Sequence, residues 1–198
     1  MNYLLHCWLG RSDPSLQAGG FLGDFIKGTL EDDIPSDLKR GLLLHRHIDV
    51  QSNRLPSMRR TYHRFGTELR RAAPILLDLM ADHVFAKHWE EFGTGELGEF
   101  TQSCYDAIER YEIPTSAQRF YEHMRRTDLL ARYSQLDVIE GIMLRILKRL
   151  RFTDLEEDLS HRLRENEVGF RDDFETYFRD LQAVSAAWCE KASSAPRI

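Results

Sequence analysis

Apolar positions along most of this chain recur at intervals of three and four residues, and no convincing run of alternating β-branched residues interrupts them. Leu55, Met58, Tyr62, Phe65 and Leu69 make one such stripe. The spacing predicts helices over about 15–27, 36–51, 56–71, 73–91, 96–112, 115–131, 135–150 and 154–192. Pro56, Pro74 and Pro114 fall where helices open, and Gly93, Gly95 and Gly98 mark a loop. The fold class expected is all-α: one bundle of about seven to eight helices in a single domain over residues 1–192. Residues 193–198 read as a frayed tail. The charge-rich stretch Asp154–Asp180 reads as a solvated helix without chemistry of its own.

Polar residues enter these stripes at a few places only. Leu38, Leu42, His45 and Asp49 lie at i, i+4, i+7 and i+11, so an imidazole and a carboxylate continue a line of core leucines. Burying such groups costs several kcal/mol unless they are paired, hydrogen-bonded or bound to a metal. The next apolar helix repeats the intrusion, with Ile75, Asp78, Asp82, Phe85 and Trp89 on one stripe and His83 about 100° away from Asp82. Asp24 follows Gly19-Gly20-Phe21-Leu22-Gly23. Glycine inside a helix costs roughly 1 kcal/mol against alanine, so close helix packing beside Asp24 is expected. His6 interrupts the apolar run Tyr3–Leu9. Salt bridges to arginines of neighbouring helices are the plain alternative for each carboxylate, but repetition on separate helices favours one shared polar site. His6, Asp24, His45, Asp49, Asp78, Asp82 and His83 form a nitrogen and oxygen donor set suited to Mn²⁺, Fe²⁺, Mg²⁺ or Zn²⁺, unlike a structural thiolate zinc. Such metals commonly activate water against a phosphoester. His47, His63, His88, His123 and His161 read as solvent-facing.

Composition narrows the classes. At 198 residues and 42% hydrophobic, the chain is long enough for one substantial core. A net charge of −5 argues against general nucleic-acid affinity. Three scattered cysteines suit a reducing cytoplasm better than a disulfide scaffold. The start MNYLLHCWLG reads as a buried segment, neither a signal peptide nor a membrane span.

The segments MNYLLH, GGFLGDFIKG (Gly19–Gly28), GLLLHRHID (Gly41–Asp49) and PILLDLMADHVFAKHW (Pro74–Trp89) occur in that order. In this the chain resembles bacterial acyl carrier protein phosphodiesterase, also called acyl carrier protein hydrolase, most strongly over residues 1–90. The resemblance implies an all-helical, HD-domain-like fold. It implies hydrolysis of holo-acyl carrier protein to the apo protein and 4′-phosphopantetheine, with Mn²⁺ as metal and Mg²⁺ or Fe²⁺ as alternatives. HD proteins carry adjacent His-Asp; here stand His45-Arg46-His47-Ile48-Asp49 and the reversed Asp82-His83. Ligands therefore do not transfer directly from ordinary HD enzymes. On this reading Asp24, His45, Asp78 and Asp82 bind metal. Asp49 completes the shell or orients His45, and His6 or His83 acts as general acid or orients water.

An acidic carrier protein needs a basic face. Arg54, Arg59, Arg60, Arg64, Arg70 and Arg71 stand against Glu68 alone, so Arg54–Arg71 is the expected docking segment. Two other readings compete: an HD-like nucleotide phosphohydrolase with the same metal site, and a non-catalytic helical binding protein whose polar core is an ion network. No Glu-x-x-His occurs, against a ferritin-like di-iron protein. Neither nucleic acid nor membrane is an expected partner.

Overall fold

A computed structural model of the chain describes residues 2–194, and every regular element among them is a helix. The order begins α1 (Tyr3–Leu9), α2 (Pro14–Leu22), α3 (Ser36–Ser52), α4 (Pro56–Thr61), α5 (Ala73–Lys87) and α6 (Trp89–Phe92). It continues with α7 (Leu97–Ile108), α8 (Thr115–Thr127), α9 (Leu129–Arg132), α10 (Leu136–Arg149), α11 (Glu156–Glu165) and α12 (Glu167–Ser194). Tyr62–Phe65 and Thr153–Leu155 are 3₁₀ turns. Twelve α-helices among the described residues thus replace the seven to eight expected, because three long predicted helices are each divided and the N-terminal run is a further helix. Gly66 at φ +76° stops the segment from Pro56, and Asp128 at φ 43° divides α8 from α9. His88 separates α5 from α6, and Asn166 separates α11 from α12.

The N-terminal run is itself a helix, with all seven residues of α1 buried. A helix so short is unstable alone and depends on its packing. α2 starts on a strong local signal: Pro14 occupies its first turn, and Asp13 Oδ1 accepts hydrogen bonds from the Ser15 N–H (2.8 Å) and hydroxyl (2.7 Å). The glycines of α2 then work as the sequence suggested. A Cβ at Gly19 would overlap the Gly41 backbone in α3, and one at Gly20 would overlap the Cys7 backbone in α1. Three helices therefore meet at van der Waals distance of their main chains.

α5 runs through the interior, with Leu76, Leu77, Met80 and Phe85 fully buried. The solvated reading of the C-terminal segment needs correction. Phe170, Phe174, Tyr177, Phe178 and Leu181 are buried, forming an i, i+4, i+7, i+8, i+11 stripe that α12 lays against α3, α4 and α5. Charged residues on the other faces of that helix hid its apolar stripe. The core is continuous from Tyr3 to Leu181. α12 extends through Ser194, and the rest of the expected tail, residues 195–198, lies outside the described residues. Cys7, Cys104 and Cys189 form no disulfide among the described residues. No described helix is long and apolar enough to cross a membrane.

Candidate metal centre

The close contact of α1, α2 and α3 brings polar groups together at one point. His6 Nε2 lies 3.1 Å from Asp49 Oδ1, and His45 Nε2 lies 3.3 Å from Asp49 Oδ2. The two imidazole ring centres are 4.3 Å apart. One donor atom from each of His6, His45 and Asp49 falls within 4.8 Å of the others. Asp24 Oδ1 flanks them, 3.9 Å from His45 Nε2. Both histidines are buried, whereas the Asp49 side chain is 45% exposed, so the cluster opens to solvent on the Asp49 side. Helical spacing places Asp49 one turn beyond His45. The absence of a side chain at Gly23 makes room for the His45 ring, which a Cβ there would strike.

The electrostatics suit a cation. Burial and the neighbouring His45 push the His6 imidazole down to about 4, against a smaller upward pull from Asp49, so His6 is neutral at pH 7. Burial alone would raise the Asp49 carboxyl, but His45 and His6 outweigh it and hold Asp49 well below the usual carboxylate range. Burial raises the Asp78 carboxyl, and the nearby Asp49 and Asp24 raise it further. His45 Nε2 is buried and faces two carboxylates, yet makes no hydrogen bond of acceptable geometry among the described residues. With its proton on Nδ1, the His45 ring would turn an Nε2 lone pair toward carboxylate oxygens, and a divalent cation between them would take all of these donors. The imidazole and carboxylate donors here fit Mn²⁺, Fe²⁺ or Zn²⁺.

Other predicted site residues divide into two groups. Asp78 borders the cluster: with Asp49, Ser52, Asn53 and Tyr62 it lines a cavity of about 280 Å³. Asp82 does not join. Its oxygens accept the α1 backbone N–H groups of Leu4 (3.1 Å) and Leu5 (2.8 Å), so it caps a helix from a distance instead of facing the histidines. Burial pushes Asp82 up to about 8 although those two N–H groups pull the other way. His83 sits off the stripe of Asp78 and Asp82, as the helical period put it. It lies buried on another side of α5, its Nδ1 2.8 Å from the Tyr133 carbonyl oxygen, and it is not part of the cluster.

The sequence profile of the acyl carrier protein phosphodiesterase family matches residues 1–181. This chain belongs to that family. Three relatives, each called acyl carrier protein phosphodiesterase, come from Escherichia coli strains: O6:H1 (CFT073), O45:K1 (S88) and O139:H28 (E24377A). The first two are 36% and the third 35% identical to this chain over 148 residues, covering 72% of it and 76% of each relative. No solved structure matches. The chain is accordingly a phosphodiesterase, a hydrolase of phosphoric diesters.

Beside the centre of this phosphodiesterase runs a basic groove of about 610 Å³, lined by Arg59, Arg60, His63 and Arg70 together with Tyr62. Arg54 and Arg71 are exposed outside that lining. Arg64 is diverted from any partner, since its Nε donates to Asp173 Oδ2 at 2.6 Å. Tyr62 lines both the groove and the small cavity of Asp49 and Asp78. Sequence reasoning counted Tyr62 only as an apolar-stripe residue and Gly23 only as part of a packing seam. The first had no sequence signal beyond a hydroxyl on a helix face. The second was signalled by a glycine next to Asp24.

Proposed function

We propose that this chain hydrolyses the phosphodiester joining 4′-phosphopantetheine to a serine of holo-acyl carrier protein, using a divalent metal, with Mn²⁺ as first choice. The observation that carries the metal reading is the His6, His45 and Asp49 cluster with Asp24 beside it. His6, His45 and Asp49 would hold the ion, with Asp24 and Asp78 completing or orienting its surroundings. When bound, the metal lowers the pKa of water and offsets charge on the phosphoryl oxygens.

The chain's own groups do the rest. Asp78, whose carboxyl is raised by burial and by neighbouring carboxylates, is placed to take a proton from the attacking water. Water oxygen bonds to phosphorus, the phosphorus–serine oxygen bond breaks, and the serine oxygen takes up the proton that Asp78 removed from water. Burial and the nearby Asp78 raise the Tyr62 phenol, so it keeps its proton and serves as a hydrogen-bond donor where groove and cavity meet. Arg59, Arg60 and Arg70 would receive the acidic carrier protein along the groove.

Mass spectrometry of holo-acyl carrier protein incubated with this chain tests the reading. Loss of the phosphopantetheine mass is expected with Mn²⁺ and not after chelation. His45→Ala and Asp49→Ala are each expected to lower kcat/KM by about 100-fold or more, the scale on which metal-site losses fall. Full metal-dependent turnover by both variants would remove the proposed centre.

A further inference from the structure

A second cavity, of about 570 Å³, lies away from the basic groove. That volume is within the roughly 300–1,000 Å³ of small-molecule sites. Tyr3, Leu79, Leu129 and Tyr133 form its buried floor, and Ile142 and Ile146 of α10 form one wall. Its polarity is one-sided. Arg145 and Arg149 stand on the same α10 stripe as the two isoleucines, at i, i+3, i+4 and i+7 from Ile142, and His123 of α8 joins them. All three are exposed, and no carboxylate is among the residues lining the cavity. None of the three forms an ion pair among the described residues. Aliphatic and aromatic walls under two unpaired guanidinium groups are complementary to one kind of molecule: an apolar chain ending in an anion.

We propose that this cavity binds a free medium- or long-chain carboxylate, with its hydrocarbon tail against Ile142, Ile146 and Tyr133 and its carboxylate at Arg145 and Arg149. Guanidinium groups match a carboxylate bidentately, and the apolar walls remove the tail from water. An uncharged acyl thioester or alcohol would fill the same walls and leave the cations without a counter-charge. The site is separate from the histidine cluster in its residues, although Phe25 on its lining directly follows Asp24.

Isothermal titration of the full, chelator-treated chain with dodecanoate below its micelle concentration tests this without metal or carrier protein, so its outcome is independent of the proposed hydrolysis. One equivalent of dodecanoate is expected to bind, at least tenfold more tightly than dodecanol, with no binding of butyrate. Ile142→Trp should fill the cavity and abolish binding. The exposed pair Arg145→Gln and Arg149→Gln, which leaves the core untouched, should weaken it at least tenfold while circular dichroism stays unchanged. Absence of saturable binding, equal affinity for dodecanol, or full affinity in the arginine double variant would overturn the proposal.

Discussion

Gly23 follows α2 with ordinary right-handed angles, φ −60° and ψ −24°, so the backbone does not require a glycine there. The requirement is space, because a Cβ would overlap the ring of His45. Gly23→Ala should therefore displace His45 and lower both Mn²⁺ affinity and kcat/KM by about tenfold or more, since small displacements of reacting groups are costly. Helix content should remain, and titration calorimetry with Mn²⁺ reads the loss directly. His6 makes a second prediction. Its folded value of about 4 lies below the 6.5 of an unperturbed histidine. Between those values the unfolded chain binds more protons than the folded one, so stability falls as pH falls through that window. Asp49, also held low, acts in the same sense below the usual carboxylate range. In metal-free protein the thermal midpoint should drop between pH 7 and pH 5, and His6→Gln should flatten that drop. An unchanged slope in the variant would show that His6 is not the group responsible.

At the scale of elements, α1 depends on a residue 78 positions away. Asp82 supplies both acceptors for the Leu4 and Leu5 N–H groups, and α1 in turn carries His6 into the cluster. Asp82→Asn keeps one acceptor but turns an amide donor toward the second N–H. The expected cost is about 1–3 kcal/mol in urea unfolding, the range for a buried donor left unsatisfied. Activity should fall along with stability because His6 shifts with α1, whereas a metal ligand at Asp82 would predict lost Mn²⁺ binding with α1 intact. Amide exchange at Leu4 and Leu5 distinguishes these outcomes.

For the whole molecule, net charge and local charge point in opposite directions. The chain carries −5, yet Arg59, Arg60 and Arg70 line one groove that meets the carboxylate cavity at Tyr62. Association with an acidic protein depends on the local field, which salt screens over about 10 Å at 0.1 M. Arg59→Glu with Arg60→Glu should raise KM for holo-acyl carrier protein at least tenfold at low salt, with kcat nearly unchanged. The difference should shrink at high salt. Equal kcat/KM for variant and parent at low salt would place docking elsewhere on the surface.

Helical period, the buried stripe from Leu38 to His45 and the close approach at Gly19 and Gly20 were legible in the sequence, because each depends on spacing within one segment; that the stripe reaches solvent at Asp49 was not. The ordered motifs likewise pointed to the family that the wider comparison establishes. Spacing along one helix does not say which neighbour each side chain meets. Asp78 and Asp82 share a stripe, yet Asp78 borders the cluster and Asp82 caps α1. His6 and Asp49 are 43 positions apart and touch only because α1 and α3 pack on the glycines of α2. The sequence by itself determined the helices and the supply of imidazoles and carboxylates. Tertiary structure alone decided which of them converge, since convergence depends on contacts between helices whose relative placement no local period encodes.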